Sequence, residues 1–236
     1  MTLVYILLPA YNEEENLPDL FAGIADAMTD YRIILVNDGS QDHTGELARE
    51  YAEKMPITVI DHEENMGLGR ALKSGILHII ENCQDGTAVV TMDSDFTHDP
   101  QMVPLMMREL DDGNDVVVAS RYVPGGGQRN MSLWRRILSW GINRLIRMKG
   151  SSVKDNTSGF RCIRLSALRR AVEKFGDEFI NTREFTATAL ILLRLQNVGV
   201  IIKEVPMVLD YGLKRGPSKL KVGPAIRAYL RLLRNV

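Results

Sequence analysis

The sequence predicts an α/β fold: a mostly parallel sheet flanked by helices, with a basic, helical elaboration at the C-terminus. Two observations carry that reading. Apolar runs rich in β-branched residues alternate with helix-like stretches through the first 120 residues, the pattern of βαβ units whose sheet is covered on both faces. The formal charge then splits along the chain. Residues 1–120 hold six basic and 23 acidic side chains, a balance of −17, while residues 121–236 hold 23 basic and seven acidic, a balance of +16. A basic half of this kind seeks phosphates, whether on nucleotides, nucleic acid or anionic lipid.

Strands are expected at 3–8, 32–36, 57–60, 87–92 and 115–119, with helices between them at 14–28, 44–54, 68–81 and 101–110. Pro9, Gly39, Gly67 and Pro100 punctuate the passages from strand to helix. The second half differs. Three glycines at 125–127 mark a loop, a helix is expected over 132–148, and 155–160 reads as a polar turn. Helices follow near 165–174 and 183–195, then a strand at 200–204 closed by Pro206. Residues 211–221 form a basic loop and 222–234 a basic amphipathic helix. The expected organisation is one domain over 1–221, its acidic part at 1–120 and its basic part at 121–221, with the helix 222–236 appended.

A chain of 236 residues, 45% hydrophobic and 25% charged, can bury a sizeable core, which excludes disorder, collagen-like repeats and a disulfide scaffold. Cys83 and Cys162 share no metal-ligand spacing, and the four histidines offer no obvious partners. A reducing cytoplasm is the expected compartment. No apolar run approaches the ~18–20 residues that span a bilayer, and no basic segment leads into an apolar one at the N-terminus.

Ligands of such sheets bind at the carboxyl ends of the strands, so the loops there carry the function. After the first strand comes Pro9-Ala10-Tyr11-Asn12-Glu13-Glu14, and after the second Asn37-Asp38-Gly39-Ser40. Either is explained alone by helix capping and by acids in a first turn. Together they suit a nucleotide, with Tyr11 stacking on a base and Glu13 and Asp38 accepting from base or ribose. The third loop, Asn65-Met66-Gly67-Leu68-Gly69-Arg70, begins like a dinucleotide fingerprint, but Leu72 stands where the third glycine belongs. Its glycines would still admit a diphosphate, with Arg70 nearby. The fourth strand ends in Asp93-Ser94-Asp95, two carboxylates suited to one hard cation, Mg²⁺ or Mn²⁺. Acidic strand-end loops would repel a nucleic-acid backbone, which argues against that partner.

These motifs, with ASRY at 119–122, WRRILSWGINRL at 134–145, DNTSGFRCIR at 155–164 and SKL at 218–220, resemble the family-two inverting glycosyltransferases of GT-A fold. The similarity runs specifically to dolichyl-phosphate mannose synthases and their polyprenyl-phosphate relatives. The resemblance implies transfer of a hexose from a GDP- or UDP-sugar to a polyprenyl phosphate with inversion, mannose from GDP-mannose to dolichyl phosphate being the leading case. It makes 1–120 the nucleotide-sugar part and 121–221 the acceptor part. It implies that Pro9, Tyr11, Glu13, Val36 and Asp38 hold the nucleotide, and that Asp93 and Asp95, with Ser94 between them, hold metal and diphosphate. Arg121 and Arg135 match arginines near the transferred phosphate, and Lys219 a lysine at the donor diphosphate; Asp95, Arg121 and Arg135 would thus be the catalytic set.

Two departures stand out. Thr97 replaces a frequent glutamine, and Leu213 stands where the family has arginine, so Lys214 or Arg215 is expected to substitute. Glu184 is the one carboxylate placed to act as base if the acceptor were a hydroxyl, and a non-catalytic nucleotide-sugar binder is the remaining rival. Phosphate acceptors need no base, only positioning and charge neutralisation. A lipid acceptor implies a peripheral membrane protein on the cytoplasmic face, with or without an anchoring membrane subunit. On 132–148, Trp134, Leu138, Gly141, Ile142 and Leu145 are expected to pack on the domain, while Leu133, Arg136, Trp140, Arg144 and Arg147 form a second stripe suited to a membrane interface.

Overall fold

The computed structural model describes residues 3–213, 215 and 222–235. Five parallel strands arise where the apolar runs predict them: β1 (Val4–Ala10), β2 (Tyr31–Asp38), β3 (Ile57–His62), β4 (Ala88–Thr91) and β5 (Val116–Ser120). Two short strands, β6 (Gly127–Arg129) and β9 (Val208–Asp210), pair parallel with each other as a separate ribbon. Strands β7 (Arg161–Arg164) and β8 (Ile202–Pro206) complete a seven-stranded sheet in the order β3-β2-β1-β4-β7-β5-β8. The sheet is parallel throughout except for β7, which runs antiparallel to both β4 and β5. That strand was not expected. It is four residues long and arginine-ended, so its pattern lacks the apolar run that marks a buried strand.

Alternate residues of each strand point to opposite faces, and helices cover both. On one face, Ile6, Leu8, Ile33 and Leu35 meet Leu20, Phe21 and Ile24 of α1 (Leu17–Ala27) and Met106 and Leu110 of α4 (Val103–Asp111). Flanking them is α2 (Thr44–Ala52). On the other face, Leu7, Ile34 and Val36 meet Leu72, Ile76 and Ile79 of α3 (Leu68–Asn82), Leu168 of α6 (Leu165–Phe175) and Ile191 of α7 (Ala187–Gln196).

A smaller core joins α5 (Leu133–Met148), α7 and α8 (Val222–Asn235) through Ile142, Ile146, Leu193 and Tyr229. The packed face of α5 is therefore Leu138, Ile142 and Ile146, spaced four residues apart, which corrects the expected one. Trp134 is 81% exposed and Leu145 is exposed as well, because the first turn of α5 and its flank find no neighbour among the described residues.

Candidate active site

The carboxyl ends of β1, β2 and β4 lie side by side, since β1 pairs with both of the others. The two acidic loops after β1 and β2 are stapled together. Asn12 N–H donates to Ser40 Oγ (3.0 Å), Glu13 N–H to Thr44 Oγ1 (2.7 Å) and Gln41 N–H to Asn12 Oδ1 (2.8 Å). Asp42 and Glu14 accept backbone N–H groups across the same seam. Much of the acidity here thus does what capping predicts: it satisfies backbone donors.

Glu13 is buried, and Asn16 Nδ2 donates to its Oε2 (2.7 Å). Tyr11 and Pro9 are half-buried at the mouth. Val36 is wholly buried in the core, so its side chain is closed to any ligand.

Asp38 is 3% exposed and organises the third loop. Its Oδ1 accepts from Met66 N–H (2.9 Å) and its Oδ2 from Gly67 N–H (2.8 Å). His62 Nδ1 lies 2.7 Å from Oδ1 and its Nε2 2.9 Å from Ser74 Oγ. This Asp–His–Ser chain answers the search for histidine partners, which sequence spacing does not reveal because the three residues come from β2, β3 and α3.

The glycines of that loop serve protein packing. A Cβ on Gly67 would lie 2.3 Å from the Arg183 carbonyl, and one on Gly69 would lie 1.8 Å from the Thr182 carbonyl. Arg183 Nε also donates to Met66 O (2.9 Å), and the exposed Glu184 follows it. Arg70 is exposed and lies close to Asp177. Gly69→Ala is accordingly expected to cost about 1–3 kcal/mol through overpacking against backbone. Chemical denaturation would show it, and an unchanged midpoint would mean that the loop is not seated on residues 182–183.

At the end of β4, Ser94 Oγ donates to Pro9 O (2.9 Å), locking the carboxylate pair to β1. Thr97 caps Asp95, its hydroxyl 2.6 Å and its N–H 3.2 Å from Oδ1. His98 is buried, stacked on Phe160, and accepts the Asp93 N–H at Nδ1 (3.0 Å). Its Nε2, which carries the proton of a neutral ring in that arrangement, faces Asp93 Oδ2 at 3.9 Å.

Antiparallel β7 brings its own start to this point. Thr91 pairs with Arg161, Thr91 Oγ1 donates to Gly159 O (2.7 Å), and a Cβ on Gly159 would sit 3.2 Å from Asp93 Oδ1. The donor set fits a hard divalent cation: two carboxylates one residue apart, with ligand positions left for water and diphosphate. No group of three or more metal-ligating side chains occurs among the described residues.

The basic half contributes Arg121 and Arg135. Arg121 is buried and forks onto Asp155, with Nε to Oδ2 at 2.7 Å and Nη2 to Oδ1 at 2.6 Å, while Nη2 also reaches Thr157 Oγ1 (2.7 Å). Burial pushes the Asp155 carboxyl up, but Arg121 outweighs it and holds the group below the usual carboxylate range. Burial draws the enclosed Arg161 guanidinium down to about 10.

Tyr211, a residue the sequence marks only as the start of a basic loop, packs half-buried against the first core, near enough to the carboxylate pair and the arginines to feel their charge. Burial raises its phenol; the charges acting on it are Arg121, Asp93, Asp95 and Arg135. Arg215 is tied to the segment that follows the β1 loop, next to Glu13 through the shared Asn16 amide. Its Nη2 pairs with Asp19 (2.6 Å), its Nη1 donates to Glu15 O (3.2 Å), and its backbone exchanges hydrogen bonds with the Asn16 amide. Leu213 is exposed, and Lys214 and Lys219 lie outside the described residues.

Residues 5–175 match the Glycosyl transferase family 2 pattern, well over half of the chain. The chain belongs to that family. This glycosyltransferase is 35% identical over 97% of its length to a dolichol-phosphate mannosyltransferase of Pyrococcus furiosus, and spans 62% of that relative. It is 32% identical to a polyprenol monophosphomannose synthase of Mycolicibacterium smegmatis, covering 86% of this chain and 75% of the relative. With an undecaprenyl-phosphate mannosyltransferase of Micrococcus luteus the identity is 30%, covering 98% and 93%. Among solved structures, glucosyl-3-phosphoglycerate synthase of Mycobacterium tuberculosis with Mn²⁺, UDP-glucose and phosphoglyceric acid superposes with a TM-score of 0.67 at 18% identity, over all of this chain and 80% of that one. That likeness establishes the shared GT-A fold.

Proposed function

We propose that this glycosyltransferase moves a hexose from a nucleotide sugar to a polyprenyl phosphate with inversion, mannose from GDP-mannose being the leading donor and dolichyl phosphate the leading acceptor. The observation that carries this is the turn at 155–159, whose Asp155 holds the buried Arg121 and whose Gly159 lies against Asp93, so that the carboxylate pair and a phosphate-suited arginine share one site. An acidic, loop-stapled nucleotide side faces a basic side built for a phosphate. The three mannosyltransferase relatives, each named for a polyprenyl-type acceptor, support the same direction.

In this reading Pro9, Tyr11, Glu13, the Val36 backbone and Asp38 shape the nucleotide pocket, with Ser94 fixing its floor. Asp93 and Asp95 would hold Mg²⁺ or Mn²⁺, whose contribution is to neutralise the departing nucleoside diphosphate. Arg135 and the Nη1 edge of Arg121, which the Asp155 fork does not use, hold the acceptor phosphate. An oxygen of that phosphate attacks the anomeric carbon from the face opposite the diphosphate as the bond to the diphosphate breaks. The nucleophile is already anionic, so no side chain need take a proton. Arg215 serves to pin its segment to α1, and Lys219 is assigned to the donor diphosphate. A panel of labelled sugar nucleotides, offered with polyprenyl phosphate and with the free polyprenol, tests the proposal. Transfer to the alcohol but not the phosphate would overturn it.

The acceptor lies at a bilayer surface. No helix among the described residues is long and apolar enough to cross a membrane. Instead α5 exposes Leu133, Trp134, Ile137 and Trp140 beside Arg136, Arg144 and Arg147, with Arg144 lying 5.8 Å from the Trp140 ring centre. The outward face of α8 carries Arg227, Leu230, Arg231 and Arg234. Apolar anchors flanked by cations suit a peripheral position on the cytoplasmic, anionic leaflet, each cation contributing on the order of 1 kcal/mol at low salt. The protein is expected to sediment with anionic vesicles at low ionic strength and to release as salt rises. Reversing the charges of Arg227, Arg231 and Arg234 together is expected to weaken that binding. A wild type that ignores such vesicles would transfer the role to a separate membrane subunit.

A further inference from the structure

Helix α5 turns more than apolar side chains inward. Trp140 and Arg144 are exposed on it, yet Asn143, next to Arg144 in the chain, is only 3% exposed. A buried amide costs free energy unless it is hydrogen-bonded, and this one has three partners. Its Oδ1 accepts the Asn156 N–H (2.6 Å), while its Nδ2 donates to Ser139 O (2.9 Å) and to Thr157 Oγ1 (3.0 Å). Two of the three join the helix to the polar turn that carries Asp155.

Thr157 passes the contact on. Its hydroxyl oxygen accepts from Asn143 Nδ2 and from Arg121 Nη2 (2.7 Å), which fills both lone pairs. Its own proton is therefore directed to Asp155 Oδ1, 3.4 Å away. Arg121 gives its Nε to Asp155 Oδ2 and its Nη2 to both Asp155 Oδ1 and Thr157. Two bonds to one carboxylate hold the guanidinium as a fork. The third, to a hydroxyl that is itself held, restricts how that fork can slide or tilt, and so fixes the Nη1 edge that the turn does not use.

We propose that Asn143 is a positioning residue, which holds Arg121 in line for the acceptor phosphate by fixing the Thr157 hydroxyl. Arg121 contacts that phosphate only in the reaction proposed above, whereas the Asn143–Thr157–Arg121 chain stands without it. The same helix presents Trp140 and Arg144 outward. The element suited to a bilayer thus also sets the arginine that receives the lipid's phosphate.

Thr157→Val keeps the shape of the side chain and the Asn143–Asn156 bond, so the turn is expected to fold. With a short-chain polyprenyl phosphate and no vesicles, docking plays no part. Under those conditions kcat/KM for the acceptor is expected to fall about three- to tenfold, the size of one lost hydrogen bond, with the donor KM unchanged. Asn143→Ala should show the same split between acceptor and donor, together with a lower melting temperature, because the Asn156 N–H loses its acceptor. The double variant should lose no more than the larger single loss, since both substitutions cut one link. A merely structural Asn143 would lower the melting temperature and leave the acceptor kcat/KM of the folded enzyme unchanged. That result would overturn the proposal, as would losses that simply multiply in the double variant. A readout independent of transfer is the NMR resonance of the Arg121 Nε–H, identified by its absence in Arg121→Lys. Its exchange with water should quicken in both variants, and unaltered exchange in either would overturn the inference. Quickened exchange beside a wild type that transfers nothing to polyprenyl phosphate would uphold the chain of contacts and overturn only the reading of the reaction.

Discussion

Asp93→Asn is expected to lower sugar transfer by more than about a hundredfold, at least about 2.7 kcal/mol of barrier, with the fold intact. The fold survives because the side chain is 46% exposed and the link to His98 runs through the Asp93 backbone N–H, which asparagine retains. What disappears is one of two anionic donors at the end of β4. A hard dication binds through charged oxygens, and an amide oxygen supplies the geometry without the charge.

Asp95→Asn is expected to match it. There Thr97 would still find an oxygen to donate to, so the loop keeps its shape while the charge goes. Excess chelator should silence the wild type, and added Mg²⁺ or Mn²⁺ should restore it. Full wild-type activity in chelator would remove the metal from the reaction and make both losses a matter of nucleotide positioning alone.

The carboxylate pair was legible in the sequence for a physical reason. A parallel strand is a continuous apolar run, and it ends where polar residues begin, so 93–95 could be placed at a strand's carboxyl edge by inspection. The same logic located the loops after β1 and β2. The partners of those residues were not legible. Asp38 reads as a nucleotide acceptor, yet its oxygens are occupied by His62, Met66 and Gly67, contacts that form only when β2, β3 and the loop meet. Gly67 and Gly69 read as room for a diphosphate, and the room is taken by the carbonyls of residues 182–183 from over 100 positions away.

Strand β7 escaped notice because its charge is buried. Arg161 looks like a surface residue until Thr188 and Asn156 supply the carbonyls that let it go inside. On α5 the helical spacing of Trp134 and Leu138 was correct, but spacing cannot tell where along a helix its neighbours stop. Tyr211 had no motif at all. It comes within electrostatic reach of Asp93, Asp95 and Arg121 only through the fold, from the end of β9.

Within the basic half, the buried ion pair is Arg121–Asp155. Asp155→Asn is expected to destabilise the protein by about 3–5 kcal/mol, since removing one partner leaves the other cation buried without compensation. Both members are enclosed, at 9% and 0% exposure, and Arg161 adds a second cation that the same carboxylate faces. In a chain of this length each kcal/mol moves the melting temperature by about 2–4 °C, so a fall of roughly 6–20 °C is the measurable outcome.

The pH dependence has a definite sign. Arg121 holds the folded carboxyl below its ordinary 3.8, so the unfolded state takes up the proton first. The contribution is complete above that value and is lost as pH falls from it through the lower, folded pKa. Melting temperatures of wild type and Asp155→Asn should therefore run parallel from neutral pH down to about 4 and converge only below it. Convergence beginning near pH 6 would mean that the Asp155 carboxylate is not the group whose protonation sets this difference.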